Sequence, residues 1–101
     1  MLIILKEENY EELIKEGLVV ADFYATWCGP CKMIGPVLED LSQELDIKVV
    51  KVDVDEHLEI AKQFGIMSVP TLLIYKNNEI IDKLIGFMPK DELKEKIMKN
   101  L

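Results

Sequence analysis

A chain of 101 residues, half of them hydrophobic, is the size of one domain and apolar enough to bury a core without a metal or several disulfides to staple it. Its net charge of −7, with all twelve basic residues lysine, argues against binding a nucleic-acid backbone, which asks for a basic stripe and is best gripped by arginine. No apolar run approaches the roughly eighteen residues that a membrane span requires.

Met1–Leu5 is a short strand-like run. Lys6, Glu7 and Glu8 follow at once, so the run is too short for a signal-peptide core and has no cleavage site behind it; the expected location is cytoplasmic. Glu8–Glu16 carries Leu13 and Ile14 amid acids and reads as a short helix closed by Gly17. Leu18–Ala25 is apolar except for Asp22 and reads as a central strand buried on both faces. From Pro30 to Leu45, Met33, Ile34, Val37, Leu38, Leu41 and Leu45 recur at helical spacing. The β-branched run Ile47–Val54 is a strand with Lys51 and Asp53 embedded. Glu56–Phe64 is a helix stopped by Gly65. Thr71–Tyr75 and Glu79–Ile85 are strands joined by Lys76-Asn77-Asn78, a tight hairpin, because Asn tolerates the left-handed backbone such turns need. Pro89 opens a last helix with Leu93, Ile97 and Leu101 as its stripe. Helical crossovers imply parallel strands, and the hairpin adds an antiparallel pair. The expected architecture is therefore α/β, one mixed sheet with helices on both faces.

Two cysteines spaced Cys-x-x-Cys leave three options: a redox pair, half of a zinc site, or chance. A structural zinc site needs four ligands, and the only other soft ligand is His57. Pro30 fits a first helical turn, which puts Cys28 at the helix N-terminus and Cys31 one turn on, on the same face. There the free N–H groups and the helix dipole stabilise a thiolate at Cys28, the attacking species in disulfide exchange, and Cys31 is placed to resolve a mixed disulfide.

Asp22 is the second anomaly, a carboxylate on the same sheet face as Leu18, Val20 and Tyr24. Burial raises its pKa. It is either a satisfied or edge-strand acid, or a buried general base for the proton of the resolving thiol. Lys51 is its natural charge partner, or simply an ammonium that reaches water on a long stem. Pro36 falls inside a helix and removes a bond to the Lys32 carbonyl. Val69-Pro70 starts a strand in trans or forms a cis bond in a tight turn. Trp27 is either core or an exposed aromatic flanking a substrate site.

Ala21-Asp22-Phe23-Tyr24-Ala25-Thr26-Trp27-Cys28-Gly29-Pro30-Cys31-Lys32 closely resembles the active-site segment of the thioredoxin family. The resemblance covers nearly the whole chain. Pro36 matches a helix-kinking proline, Lys51-Val52-Asp53-Val54-Asp55 a third strand, Met67-Ser68-Val69-Pro70-Thr71 the cis-proline loop, and Gly86 a glycine beside the site. Gly29-Pro30 between the cysteines is that family's version of the turn; disulfide isomerases typically carry Gly-His and glutaredoxins Pro-Tyr.

The resemblance implies a thioredoxin fold over residues 1–101 as a single domain, with a five-stranded mixed sheet of three parallel strands plus an antiparallel C-terminal hairpin. It implies a protein-disulfide reductase and electron carrier with no cofactor beyond a redox-active Cys28–Cys31 disulfide. Cys28 would be the exposed nucleophile, Cys31 the buried resolving thiol, Asp22 the buried acid and Lys51 its modulator. Trp27, Val69, Pro70 (in cis) and Gly86 would form the apolar face that docks substrates. The implied partners are a thioredoxin reductase and disulfide-containing target proteins, with neither nucleic acid nor membrane, and the expected state is a monomer. Phe87, after Gly86, is bulkier than the residue usual there and bears on partner choice.

Overall fold

The structure is a computed structural model that describes residues 1–101. In chain order the elements are β1 (Leu2–Ile4), α1 (Tyr10–Leu13), β2 (Leu18–Tyr24), α2 (Gly29–Glu44), β3 (Lys48–Asp53), α3 (Leu58–Gln63), β4 (Thr71–Lys76), β5 (Glu79–Ile85) and α4 (Lys90–Met98). The five strands form one sheet in the order β1-β3-β2-β4-β5. β1, β3 and β2 run parallel, and β4 and β5 run antiparallel to their neighbours. This is the mixed sheet expected from the sequence, with β2 at its centre.

Alternation along β2 divides the interior in two. Val19, Ala21 and Phe23, all without exposed surface, face Tyr10 and Ile14 on one side of the sheet, with Ile60 and Phe64 closing that layer. Leu18 and Val20 face the other way, against Ile34, Leu38 and Leu41 of α2 and Leu93 and Ile97 of α4. Each such aliphatic or aromatic side chain contributes about 1.5–3 kcal/mol by leaving water. Layers on both faces hold the central strand, and with it the loop that follows Tyr24.

The hairpin turns as its residues demand. Asn77 and Asn78 take positive φ of 49° and 75°, a region that asparagine visits at low cost. The Asn77 side chain also accepts from the Gly17 N–H at 3.0 Å, and the Asn77 N–H donates to the Gly17 carbonyl at 3.0 Å, which ties the start of β2 to the hairpin.

Three elements are shorter than their sequence patterns. α1 begins only after Asn9, whose side chain caps it by accepting from the Glu12 N–H at 3.2 Å, and it ends at Leu13 so that the chain can turn into β2. α3 begins at Leu58 rather than Glu56 because Asp53 Oδ1 holds the Asp55 and Glu56 N–H groups in a turn, at 2.9 and 3.4 Å. α4 ends at Met98. The Asn100 and Leu101 N–H groups bond to the Ile97 and Met98 carbonyls, so Leu101 leaves the apolar stripe and lies 57 % exposed.

Candidate active site

β2 ends at Tyr24, and four residues later the chain enters α2 with Cys28 as the N-cap, Gly29 as the first helical residue and Pro30 next. Proline's missing N–H costs nothing there. Cys28 and Cys31 are joined by a disulfide, their Cα atoms 5.3 Å apart. The two are not alike. The Cys31 N–H donates to Cys28 Sγ at 3.2 Å, the contact an N-cap oxygen makes in other helices. Cys28 Sγ also lies 3.6 Å from the Val69 carbonyl oxygen. Exposure does not separate them: each is 5 % exposed, which corrects the expectation of an exposed Cys28 beside a buried Cys31. In the disulfide form Cys28 is folded onto its own helix and the Val69 backbone, and the asymmetry lies in the hydrogen bonding.

The Val69-Pro70 bond is cis. The Thr71 hydroxyl braces this loop by donating to the Ser68 carbonyl at 2.7 Å, and the Gly86 N–H donates to the Pro70 carbonyl at 2.9 Å. Gly86, at φ 88°, occupies backbone space that a side chain would strain, so the end of β5 stays close under Pro70. Trp27, 70 % exposed, is flanking surface rather than core. It forms an apolar hollow of about 170 Å³ with Val54, Ile66, Met67, Ser68 and Val69. Its indole N–H donates to Asp55 Oδ2 at 3.0 Å. Nothing in the sequence singles out Asp55, because the bond joins two loops 28 residues apart.

Asp22 has no exposed surface, and neither carboxylate oxygen has a hydrogen-bond partner. Burial pushes its pKa up to about 6, against the pull of the Lys51 ammonium. Lys51 stands opposite Asp22 in the β2–β3 register. Its ammonium turns instead over the Tyr24 ring, 4.6 Å from the centroid, and against Gly35 of α2. Lys51, Tyr24, Gly35, Pro36 and Cys31 line one hollow of about 470 Å³, so α2 brings the second cysteine to the same space as the lysine beside Asp22. The largest surface hollow, about 630 Å³ and lined by Glu11, Phe64, Tyr75 and Glu79 among others, holds none of these residues. No group of three or more His, Cys, Asp or Glu side chains is arranged to hold a metal, and His57 instead bonds the Leu5 carbonyl at 3.0 Å.

A Cys-x-x-Cys disulfide at a helix N-terminus, on a mixed sheet whose central strand buries an unpaired carboxylate, defines a thiol–disulfide oxidoreductase. Comparison with known proteins narrows the class. The thioredoxin family model matches residues 1–99. Thioredoxins of Bacillus subtilis and Listeria monocytogenes are each 50 % identical over 97 residues, 94 % of this chain and 93 % and 94 % of theirs. The solved structure of a mutant thioredoxin from Halobacterium salinarum superposes with a TM-score of 0.89 at 36 % identity, covering 97 % of this chain and 88 % of that one. The chain belongs to the thioredoxin family. It is a disulfide reductase whose redox-active group is the Cys28–Cys31 disulfide.

Proposed function

We propose that Cys28 is the nucleophile and Cys31 the resolving thiol in the reduction of protein disulfides, with Asp22 as the base. In the reduced protein the Cys28 thiolate attacks one sulfur of the target disulfide. A Cys28–target mixed disulfide forms and the first target thiolate leaves. Cys31 then gives up its proton, attacks Cys28 Sγ and expels the second target thiolate, which leaves the Cys28–Cys31 disulfide. The observation that carries the assignment is the Cys31 N–H on Cys28 Sγ, which, with the open end of α2, favours a negative sulfur at Cys28.

Asp22 supports the second step. An acid with a pKa of about 6 is ionised near neutral pH and can take the Cys31 proton. Cys31 and Lys51 line one hollow, and Lys51 tunes the acid from across the register. Trp27, Val69, Pro70 and Gly86 form the docking face, with Gly29 and Pro30 shaping the turn. The Val69 backbone beside Cys28 is suited to pairing with an extended target segment.

Each turnover ends oxidised, so a reductase must recharge the pair; a thioredoxin reductase is the partner this family membership favours, along with disulfide-containing target proteins. Residues 1–101 act as one domain and as a monomer. The acidic, arginine-free surface favours neither nucleic acid nor membrane as a partner, and no helix is long and apolar enough to cross a membrane. We assign the protein to the cytoplasm on its similarity to the thioredoxins of Bacillus subtilis and Listeria monocytogenes.

The test is a trap. Reduced Cys31→Ser protein mixed with insulin should accumulate a covalent mixed disulfide through Cys28, whereas Cys28→Ser should form none and lose turnover entirely. Adduct formation through Cys31 at the wild-type rate in Cys28→Ser would reverse the roles.

A further inference from the structure

Trp27 is the only tryptophan and is largely exposed. A side chain so placed ordinarily samples several rotamers on the nanosecond scale. Here it is held at the end of a chain of bonds. Asp53, 6 % exposed at the end of β3, stands opposite Tyr24 in the sheet register. Its Oδ1 accepts from the Asp55 N–H at 2.9 Å and the Glu56 N–H at 3.4 Å, and the intervening Val54 N–H donates to the Tyr24 carbonyl at 2.9 Å. The turn after β3 is thereby fixed to the sheet. Asp55 projects from that turn and accepts the indole N–H at 3.0 Å.

We propose that Asp55 is a positioning residue for target docking: it holds the Trp27 ring as a standing wall of the apolar hollow that also includes Val54, Ile66, Met67 and Val69. This rests on the docking-face reading given above. A target then meets a surface already ordered and need not immobilise the ring on arrival, which is where preorganisation gains affinity. Asp55 touches neither sulfur and has no part in the exchange itself. Its work is as a hydrogen-bond acceptor, so an amide oxygen at the same place would serve.

The experiment compares Asp55→Ala, Asp55→Asn and Trp27→Ala in single-turnover reactions of the reduced protein with insulin and with bis(2-hydroxyethyl) disulfide, a small uncharged substrate. For Asp55→Ala the half-saturating insulin concentration should rise about fivefold, the cost of ordering one side chain. Its limiting rate, and the rate with the small disulfide, should stay unchanged. The emission anisotropy of Trp27 should gain a fast nanosecond component, a signal only this residue can give. Asp55→Asn should return both readouts to within twofold of the original protein. An unchanged anisotropy decay and half-saturation in Asp55→Ala would overturn the proposal, as would an Asp55→Asn protein as impaired as the alanine variant. If Trp27→Ala raises the half-saturating concentration while Asp55→Ala does not, the docking face stands and only the role of Asp55 falls. If Trp27→Ala has no effect either, the docking face itself is wrong.

Discussion

The two faces of β2 bury polar atoms in opposite ways. Toward α1 and α3, the hydroxyls of Tyr10 and Tyr75 meet at 3.0 Å inside a cluster of aromatic rings that includes Phe23 and Phe64. Each hydroxyl satisfies the other, and burial holds the Tyr10 phenol well above its ordinary pKa, so the pair stays neutral. Toward α2 and α4, the Asp22 carboxylate has no partner at all. The first face is built for stability. The second keeps a destabilising acid beside the helix that carries the cysteines, as a group that works in exchange chemistry would require.

The largest expected effect lies on the stable face. Phe23→Ala should cost about 3–5 kcal/mol in urea unfolding, because the ring has no exposed surface and is clamped between Tyr10 and Phe64. A loss under about 1 kcal/mol would mean that this layer is loosely packed, and the contrast between faces would weaken.

On the other face the sign reverses. The Asp22 pKa is raised from 3.8 to about 6, so the folded state resists ionisation that the unfolded chain accepts freely. Below about pH 4 both states are protonated and the acid costs nothing through its charge. Between about pH 4 and pH 6 stability is lost, levelling at about 3 kcal/mol once both states are ionised. Asp22→Asn should therefore be more stable than the original at pH 7–8 by up to that amount, with the gain fading toward pH 4. Parallel pH–stability curves for the two proteins would show that the carboxylate is not strained.

The smallest effect sharpens the comparison. Tyr10→Phe leaves the Tyr75 hydroxyl buried without its partner and should cost about 1–2 kcal/mol, whereas removing both hydroxyls together should be close to neutral. A double variant that loses the sum of the two single losses would argue against a self-satisfied pair.

Much of this contrast was legible in the residues. Helical spacing identified α2, a β-branched run identified β3, the Lys76-Asn77-Asn78 turn identified the β4–β5 hairpin, and a single acid in the apolar run Leu18–Ala25 marked Asp22 as anomalous. Lys51 was legible as the charged neighbour of Asp22, but that its ammonium turns over the Tyr24 ring and leaves the carboxylate without a partner depends on packing that neither strand carries alone. The early stop of α4 was hidden because Leu101 continues the stripe by spacing, while the last backbone bonds turn the chain aside. The Asp55–Trp27 bond was hidden for a different reason: it joins side chains from two loops, and no local pattern encodes such a contact.

The most direct measurement is the rate at which Cys31 resolves the mixed disulfide, followed from pH 5 to 9 in the original protein and in Asp22→Asn. If Asp22 is the base, the original profile rises through an inflection near pH 6, and the variant lacks it. The variant should be slower by about 100-fold near pH 7, the lower end of what a positioned base supplies, with the gap closing as the thiol ionises unaided at higher pH. Superimposable profiles would contradict the account and leave the buried carboxylate without a part in exchange.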